Sequence, residues 1–409
     1  MVPSWHKRRG YRHFDRPATK EFLEKIEDPT FVAKHSFSPL IHYNKTEKRY
    51  KKDIKTGNRT LVEKNRPIKY TSHRDAAILA YYSHILEGSL AKYYNSRGFS
   101  DSVIAYRPLG LANYDFSASA LDFAKNKSPV VIMAFDVKGF FDNLDHALLK
   151  MRLKNILAVK ELSTDWLRIF RFITRFHFVD LEALKRHSEF SDRFNKKRRD
   201  IIATVAELKS AGIQFLSNPT PGKGIPQGTP ISASVSNLYM IEFDEKIRKY
   251  CDGIDAKYLR YSDDILVICK SEYAEKTEDM IFRLIQGERL DISADKTEKT
   301  CFNESAAVSA TGRVAQYLGF TLAEDGAAIR QSSLARQWRK MRRAVKRTRK
   351  IAEMNIASGK SEKTFTKRLY KRFSSIKFYD GATLRVLRNF SSYARRSATN
   401  PSSRIGGFC

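Results

Sequence analysis

The sequence predicts a mixed α+β protein, and three patterns support that class. A continuous apolar run at residues 130–135, which ends at Asp136, is typical of a strand buried on both faces. Two further apolar runs lie on either side of a polar tip within residues 257–268, which indicates an antiparallel hairpin. Residues 73–95 and the chain after residue 330 instead repeat their apolar side chains at the spacing of amphipathic helices.

The N-terminal half is predicted to contain a hairpin, several helices and the buried strand. Residues 46–72 carry two extended runs around the turn sequence Thr56-Gly57-Asn58, which favours a β-hairpin. The helix at residues 73–95 follows directly. Further helices are predicted at residues 116–126 and, in several pieces, over residues 145–210.

Turn residues and periodicity divide the C-terminal half. A loop rich in glycine and proline at residues 219–228 leads into a helix predicted over about 230–250. After the hairpin come a helix over about 273–289 and a short strand at 316–320. Beyond residue 330 we expect only helices, with arginine and lysine opposite two apolar stripes. The stripes consist of Leu334, Trp338, Met341 and Val345, and of Phe365, Leu369, Phe373 and Ile376.

Length and composition exclude several classes of protein. The chain has 409 residues, of which 42% are hydrophobic, so it is not disordered and can form two or three packed units. No apolar run approaches the roughly 20 residues that span a bilayer, and the N-terminal stretch lacks the apolar core of a secretory signal. Four cysteines without CxxC spacing fit reduced thiols. We therefore expect a cytoplasmic protein with no membrane segment, zinc site or disulfide framework.

The net charge of +30 is unevenly distributed. Residues 1–75 hold 19 basic and 9 acidic residues, residues 76–329 hold 34 and 33, and residues 330–404 hold 22 and 3. A near-neutral central segment between two basic terminal segments predicts a protein that binds a polyanion through both of those segments. A generally solvated basic surface and an anionic membrane surface are the alternatives.

Three aspartates are candidates for a metal site. Asp136 ends the buried strand, and Asp263 and Asp264 lie at the tip of the hairpin between apolar strands. Adjacent acids in such surroundings repel each other and lose solvation, and bound divalent cations would remove that repulsion. An exposed Asp-Asp turn is the alternative, but the apolar flanks and the strand-ending Asp136 disfavour it. The pattern predicts a two-metal centre for phosphoryl transfer.

The surrounding residues resemble the reverse transcriptase family. Tyr261-Ser262-Asp263-Asp264 is similar to that family's Tyr-x-Asp-Asp box, with serine where bacterial relatives most often carry alanine. Residues 134–146 resemble the first palm motif in the form found in group II intron, retron and defence-associated bacterial enzymes. Further matches, in the family's order, are the Pro-Gln-Gly motif at 224–232, a palm motif at 295–297, the primer-grip turn at 317–320 and fingers motifs at 66–75 and 106–110.

The resemblance implies a role for each matching residue. Asp136, Asp263 and Asp264 correspond to catalytic aspartates that hold two Mg²⁺ ions together with the backbone carbonyl of Val137. Phe141 corresponds to a ring that excludes the 2′-hydroxyl of a ribonucleotide, with a core phenylalanine as the alternative. Nucleotide binding is implied for Arg66, Phe140, Phe141, Gln227 and Lys296, where a solvated lysine is the alternative at Lys296. Nucleic-acid binding is implied for Arg107 and Tyr261.

The resemblance also implies a right-hand polymerase with fingers, a palm built on an antiparallel sheet, and a helical thumb. The expected divisions are an N-terminal basic extension at 1–45, fingers at 46–128, a palm at 129–325 with a fingers-type helical insertion at about 146–215, and a basic thumb at 326–409. The thumb's basic face is expected to hold a template–product duplex or a folded RNA. The arginines selected for this contact are Arg339, Arg342, Arg343 and Arg347.

The implied function is RNA-directed DNA synthesis from deoxynucleoside triphosphates on an RNA template. About 80 residues follow the primer-grip turn, which leaves room for a thumb but not for a maturase, endonuclease or ribonuclease H domain. This favours the stand-alone bacterial enzymes of antiphage defence, which work with a cognate noncoding RNA. A retron-type enzyme that makes RNA-linked DNA and a nonenzymatic RNA-binding scaffold are the alternatives. The primer and the homo-oligomeric state stay open.

Overall fold

A computed structural model describes residues 3–52, 59–194, 201–303, 306–309, 315–323, 326–361, 364–380 and 383–399. Helices and strands are both abundant, which confirms the predicted α+β class. The predicted turn at residues 56–58 lies outside the described residues. Among the described helices, none combines the length and the apolar character that crossing a bilayer requires.

The elements follow the chain in this order. The helices are α1 (Lys20–Lys25), α2 (Pro29–Lys34), α3 (His73–Ser96), α4 (Asn113–Asn126), α5 (Phe140–Asn143), α6 (His146–Ile156), α7 (Thr164–Thr174), α8 (Leu181–Arg186), α9 (Ser188–Ser191), α10 (Val205–Ser210), α11 (Ser232–Tyr239), α12 (Ile241–Gly253), α13 (Ala274–Gly287), α14 (Gln331–Ala357), α15 (Lys367–Phe373) and α16 (Phe390–Ala398). The strands are β1 (Leu40–Lys52), β2 (Arg59–Tyr70), β3 (Val130–Asp136), β4 (His177–Asp180), β5 (Leu216–Ser217), β6 (Lys257–Tyr261), β7 (Asp264–Lys270), β8 (Glu298–Asn303), β9 (Ala306–Ser309), β10 (Gln316–Tyr317), β11 (Phe320–Ala323), β12 (Gly326–Ile329), β13 (Lys377–Asp380) and β14 (Thr383–Val386).

A five-stranded antiparallel sheet in the order β6-β7-β3-β8-β9 forms the centre of the fold. Strand β3 lies in its middle, as its continuous apolar sequence predicts. Because side chains alternate along a strand, Val131 and Met133 join the larger hydrophobic core, while Val130 and Ile132 join a second core on the opposite face. The end of β3 is thereby held from both sides.

The predicted N-terminal hairpin is confirmed and is longer than expected. Strands β1 and β2 pair antiparallel from Ile41 opposite Tyr70 to Lys52 opposite Arg59. At its base, β1 also pairs in parallel with β4, so the hairpin belongs to a four-stranded sheet in the order β2-β1-β4-β5. Helix α3 begins directly after β2, with the Ser72 side chain accepting a hydrogen bond from the amide of Asp75.

The helix predicted over residues 230–250 is two helices, α11 and α12, that meet at Met240. At the end of α11 the buried Tyr239 donates its hydroxyl hydrogen to the carbonyl of Glu288 at 2.6 Å. The chain bends after this anchor, and α12 then buries Phe243 and Ile247. Continuous helical periodicity could not reveal this break, because both helices have apolar faces.

The prediction that the chain is entirely helical after residue 330 is wrong. Strands β13 and β14 form an antiparallel hairpin between α15 and α16. Helix α15 ends at Phe373 because Ser374 adopts an extended conformation, which interrupts the apolar stripe that reached Ile376. Helix α14 does form over 27 residues, but Trp338 and Val345 of its predicted stripe are 59% and 48% exposed.

Candidate active site

The three predicted aspartates meet at one end of the central sheet. Asp136 is the last residue of β3, and it lies directly opposite Asp264, the first residue of β7. The amide of Val137 donates a hydrogen bond to the carbonyl of Asp263 at 3.1 Å, which joins the strand end to the hairpin tip. The turn between β6 and β7 contains only Ser262 and Asp263, so Asp264 is held by strand backbone and Asp263 lies in the two-residue turn beside it.

The electrostatics of this end favour cations. Burial, followed by repulsion from Asp263 and Asp136, raises the pKa of Asp264 to about 6, although Lys296 and Arg330 act in the opposite direction. Burial also raises the pKa of Asp263, and Asp136 contributes to the increase. Asp264 is exposed and Asp136 and Asp263 are half-buried, so the acidic end of the sheet is open to solvent and mutual repulsion acts between its carboxylates.

Residues 293–296 supply the groups that contact Asp136. The Lys296 ammonium forms an ion pair with the Asp136 carboxylate. The Ser293 hydroxyl donates to the same carboxylate oxygen at 3.1 Å, and the Ser293 amide donates to the Asp136 carbonyl at 2.8 Å. Lys296 was selected from the sequence, but no sequence pattern marked Ser293. Its position just before the Ala-Asp-Lys turn is the only available signal.

The donor chemistry suits a divalent cation that arrives with a phosphorylated substrate. Within the described ranges, no three His, Cys, Asp or Glu side chains converge closely enough to hold an ion by themselves. Mg²⁺ commonly takes one or two carboxylates together with substrate phosphates, so it does not need a complete protein cage. The repelling carboxylates of Asp136, Asp263 and Asp264 fit that mode of binding. The Val137 carbonyl stays a predicted further ligand.

Two neighbouring phenylalanines follow β3, and they differ in burial. Gly139, with φ +54°, precedes α5, the short helical turn that carries both rings. Phe140 is only 3% exposed and its ring packs in the larger core, while its predicted contact with the nucleotide stays a prediction. Phe141 is half-buried at the edge of that core and has its ring 5.5 Å from that of Phe140. Phe141 is therefore the candidate for contact with the nucleotide sugar.

The Pro-Gln-Gly loop docks on the N-terminal hairpin. The amide of Lys69 in β2 donates to the carbonyl of Gln227 at 2.9 Å. The Lys69 side chain is buried, with its ammonium 5.3 Å and 5.0 Å from the ring centres of Phe176 and Phe178. Burial lowers the pKa of Lys69, and Asp142 opposes that shift. The half-buried Gln227 is thus held by the hairpin, and the amide of Ile225 in the same loop donates to the carbonyl of Phe141 at 2.8 Å in the turn that follows β3.

The remaining predicted contacts divide into two groups. Arg107 donates to the carbonyl of Val103 at 2.8 Å and stacks over Tyr94, because the buried loop carbonyls need donors. This engagement gives Arg107 a loop-stabilising role, and its predicted contact with the template stays a prediction. Arg66 lies on β2 within 3.8 Å of Glu47, and Tyr261 ends β6 beside the acidic pair. Their contacts with nucleotide and nucleic acid stay predictions.

The four selected arginines of the C-terminal region are exposed on α14. Arg343 and Arg347 line an open groove of about 1290 Å³ between α14, α15 and the start of α16. Cations and aromatic rings share the walls of this groove, since Lys340 and Arg368 lie near Phe365 and Phe373. A surface of this composition can bind a polyanion with unpaired bases.

Comparison with known proteins gives one family. Residues 51–322 match the family described as "Reverse transcriptase (RNA-dependent DNA polymerase)". Among individual relatives, the Retron Ec73 reverse transcriptase of Escherichia coli is 30% identical over 138 residues, and the Retron Ec86 reverse transcriptase of the same organism is 34% identical over 74 residues. These alignments cover 32% and 18% of this chain, and 38% and 23% of the relatives. The chain thus aligns with less than half the length of each relative.

Solved structures give a more distant likeness. The apo telomerase from Candida tropicalis, truncated from its C-terminal domain, is 14% identical with a TM-score of 0.44, over 71% of this chain and 56% of that chain. Telomerase from Candida albicans in complex with a fragment of telomeric RNA is 12% identical with a TM-score of 0.40, over 74% and 47% of the two chains.

Proposed function

The chain belongs to the reverse transcriptase family and has its right-hand polymerase fold, and from that premise we propose that it is an RNA-directed DNA polymerase. The reaction would extend a 3′-hydroxyl with deoxynucleoside triphosphates on an RNA template. The observation that carries the proposal is the meeting of Asp136 and Asp264 across β3 and β7, with Asp263 in the adjoining turn. Such a carboxylate group at the end of a buried sheet has a clear use in phosphoryl transfer.

Reverse transcriptases generally use divalent metal ions, and we propose Mg²⁺ here. Asp136, Asp263, Asp264 and the Val137 carbonyl would hold two ions. When bound, these ions would neutralise charge on the phosphates and on the attacking and leaving oxygens. In the protein itself, the Lys296 ammonium holds the Asp136 carboxylate, and the Ser293 hydroxyl fixes the orientation of that carboxylate.

The half-buried Phe141 would select the sugar. Its ring lies on the turn that follows the catalytic strand, so a nucleotide bound at the carboxylates would bring its C2′ near this side chain. Gln227 would lie along the nucleotide and template, because β2 and the turn that follows β3 hold its loop between them. Arg66 would contact the triphosphate, where a guanidinium suits phosphate oxygens.

The proposed template is a cognate noncoding RNA, copied during antiphage defence. The uneven charge supports an RNA partner, since residues 330–404 hold 22 basic and 3 acidic residues. The groove between α14 and α15 adds aromatic side chains to those cations. Charge and aromatic surface together suit a folded RNA that has both paired and unpaired segments.

A retron-type enzyme that makes RNA-linked DNA is the second candidate. Two relatives named as retron reverse transcriptases favour it, although each alignment covers less than half of the relative. The products distinguish the two candidates. Sequencing the nucleic acid that copurifies with the protein, before and after ribonuclease treatment, would reveal DNA covalently joined to RNA only in the retron case.

The activity is tested by replacing Asp263→Asn and Asp264→Asn together. We expect deoxynucleotide incorporation on a primed RNA template to fall to background, while RNA binding and thermal stability stay near the wild-type values. A matched control is Asp252→Asn with Asp255→Asn, which removes the same charge from two exposed residues near the opposite end of β6. Undiminished synthesis by the first variant would reject the proposed site.

A further inference from the structure

An arginine and an aspartate are fully buried beneath the acidic turn. The side chains of Arg260 and Asp244 both have 0% exposure. Two guanidinium nitrogens of Arg260 donate to the two carboxylate oxygens of Asp244 at 2.6 Å each. The Tyr258 hydroxyl donates to the same carboxylate at 2.5 Å, so the Asp244 side chain is well supplied with donors. A pair of this kind balances its own charges within the core.

The third guanidinium nitrogen reaches the turn itself. Nη1 of Arg260 donates to the backbone carbonyl of Ser262 at 3.1 Å and to the side-chain oxygen of Asn237 at 3.2 Å. Ser262 is 3% exposed and has φ +61°, a left-handed conformation that is uncommon for residues other than glycine. Ser262 directly precedes Asp263 and Asp264, so the conformation of this residue sets the direction of both acidic side chains.

Residues 102–106 support the same arrangement from the other side. The amide of Arg260 donates to the carbonyl of Ser102 at 2.8 Å, and the amide of Ile104 donates to the carbonyl of Arg260 at 3.0 Å. The Tyr106 hydroxyl donates to the Ser262 hydroxyl at 3.3 Å. Backbone in a rarely populated conformation persists where its surroundings over-determine it, and here both the carbonyl and the side chain of Ser262 are bonded.

We propose that Arg260, oriented by Asp244, is a positioning residue that holds the Ser262 turn in its left-handed conformation and so directs Asp263 and Asp264 toward the metal site. The proposal rests on the proposed polymerase function of those aspartates. Arginine is suited to this task because its planar fork can bind both oxygens of Asp244 and still present a nitrogen to the turn. A lysine has one nitrogen and cannot serve both groups with that geometry.

The competing explanation is that the pair only stabilises the fold. A purely structural pair can be replaced by apolar side chains of similar volume, often with little loss of stability, whereas removal of one partner leaves a buried charge. The decisive variant is therefore Arg260→Met with Asp244→Leu. The matched control is Arg152→Met with Glu288→Leu, because that second buried pair joins α6 to the end of α13 and makes no contact with Ser262.

The experiment compares both double variants with the wild type by thermal unfolding, steady-state deoxynucleotide incorporation and Mn²⁺ binding without nucleotide. For the first variant we expect a roughly 10–100-fold loss of kcat per folded molecule, a KM for deoxynucleotide near the wild-type value, and weaker Mn²⁺ binding, as for other residues that orient metal ligands. The control should keep the wild-type kcat and Mn²⁺ affinity.

A wild-type kcat and Mn²⁺ affinity in the folded first variant would overturn the positioning role. If that variant does not fold, Arg260→Lys decides, since it keeps the charge opposite Asp244 and lacks the nitrogen that reaches Ser262. Reduced kcat and Mn²⁺ affinity in Arg260→Lys would support the proposal, and unchanged values would overturn it. A different result would reject the proposed polymerase site itself. That result is full DNA synthesis by the Asp263→Asn, Asp264→Asn protein, so the two failures can be distinguished.

Discussion

Replacing Gly228→Ala should separate the Pro-Gln-Gly loop from the N-terminal hairpin. Gly228 has φ +120°, and a Cβ added there would lie 2.8 Å from the carbonyl oxygen of Lys69 and 2.9 Å from Cγ2 of Ile68. The nearer neighbour is backbone within a paired strand, so it cannot move aside as a flexible side chain would. The substitution therefore strains the hydrogen bond between Lys69 and Gln227.

The expected loss of stability in Gly228→Ala has two contributions. Alanine in this sparsely populated backbone region costs on the order of 1–3 kcal/mol. Forcing a methyl group into a filled space costs about 1–3 kcal/mol more. Gly222→Ala is the matched control, because Gly222 lies in the same loop at φ +78° with nothing within 4 Å of its added Cβ. The control should show only the backbone cost, about 1–2 kcal/mol for a left-handed residue.

The assay is urea unfolding followed by circular dichroism, combined with primer extension on RNA. We expect the midpoint for Gly228→Ala to fall below that of Gly222→Ala, by an amount equivalent to about 1–3 kcal/mol. We also expect a larger loss of deoxynucleotide incorporation, because Gln227 is displaced. Equal midpoints for the two variants would refute the steric reasoning, and full activity of a destabilised Gly228→Ala protein would refute the role given to the loop contact.

Three further predictions concern individual side chains and the charged helix. Phe141→Ala should raise ribonucleotide incorporation relative to deoxyribonucleotide in primer extension, whereas Phe140→Ala should leave sugar preference unchanged and lower the free energy of unfolding by about 3–5 kcal/mol. Lys296→Met should lower kcat, yet it should strengthen Mn²⁺ binding in the absence of nucleotide because it frees the Asp136 carboxylate. Titration with Mn²⁺ measures that affinity, and an unchanged value would contradict the prediction. Replacing four arginines of α14 by glutamine should weaken RNA binding and flatten its log–log salt slope by several units, at roughly 0.9 per lost phosphate contact, for RNAs of different sequence and equal shape. The arginines are Arg339, Arg342, Arg343 and Arg347, and the control replaces Lys92, Lys125, Lys160 and Lys276, which should leave the slope unchanged.

The sequence was sufficient to predict elements whose pattern is set by burial. The central strand, the acidic hairpin and α3 all appear within a few residues of their expected bounds, because each buries a continuous apolar run or face. The pattern also marked Asp136 and Asp264 as polar ends of apolar strands, whereas their placement directly opposite each other came from the strand pairing in the structure. The family's motifs gave these residues their expected roles.

Features that depend on tertiary contacts could not be predicted from the sequence. Nothing in the local sequence distinguishes the engaged guanidinium of Arg107 from one that is free to bind a template. The β13–β14 hairpin was missed because each strand has only four residues, too few for an alternating pattern to stand out between the flanking basic helices, although the phenylalanine, tyrosine, threonine and valine of these strands favour extended structure. The buried Arg260–Asp244 pair joins residues 16 positions apart on different elements, and only the packed structure brings them together.

The central position of β3 has a consequence for the order of events during synthesis on the ribosome. Its neighbours in the sheet, β7 and β8, begin about 130 and 160 positions later in the chain than the end of β3. Because synthesis proceeds at roughly 5–20 residues per second, β3 is completed on the order of ten seconds before either neighbouring strand has been synthesised. Its apolar edges are unpaired throughout that interval. The acidic cluster can therefore assemble only after β7 has been synthesised, about 130 residues behind the end of β3.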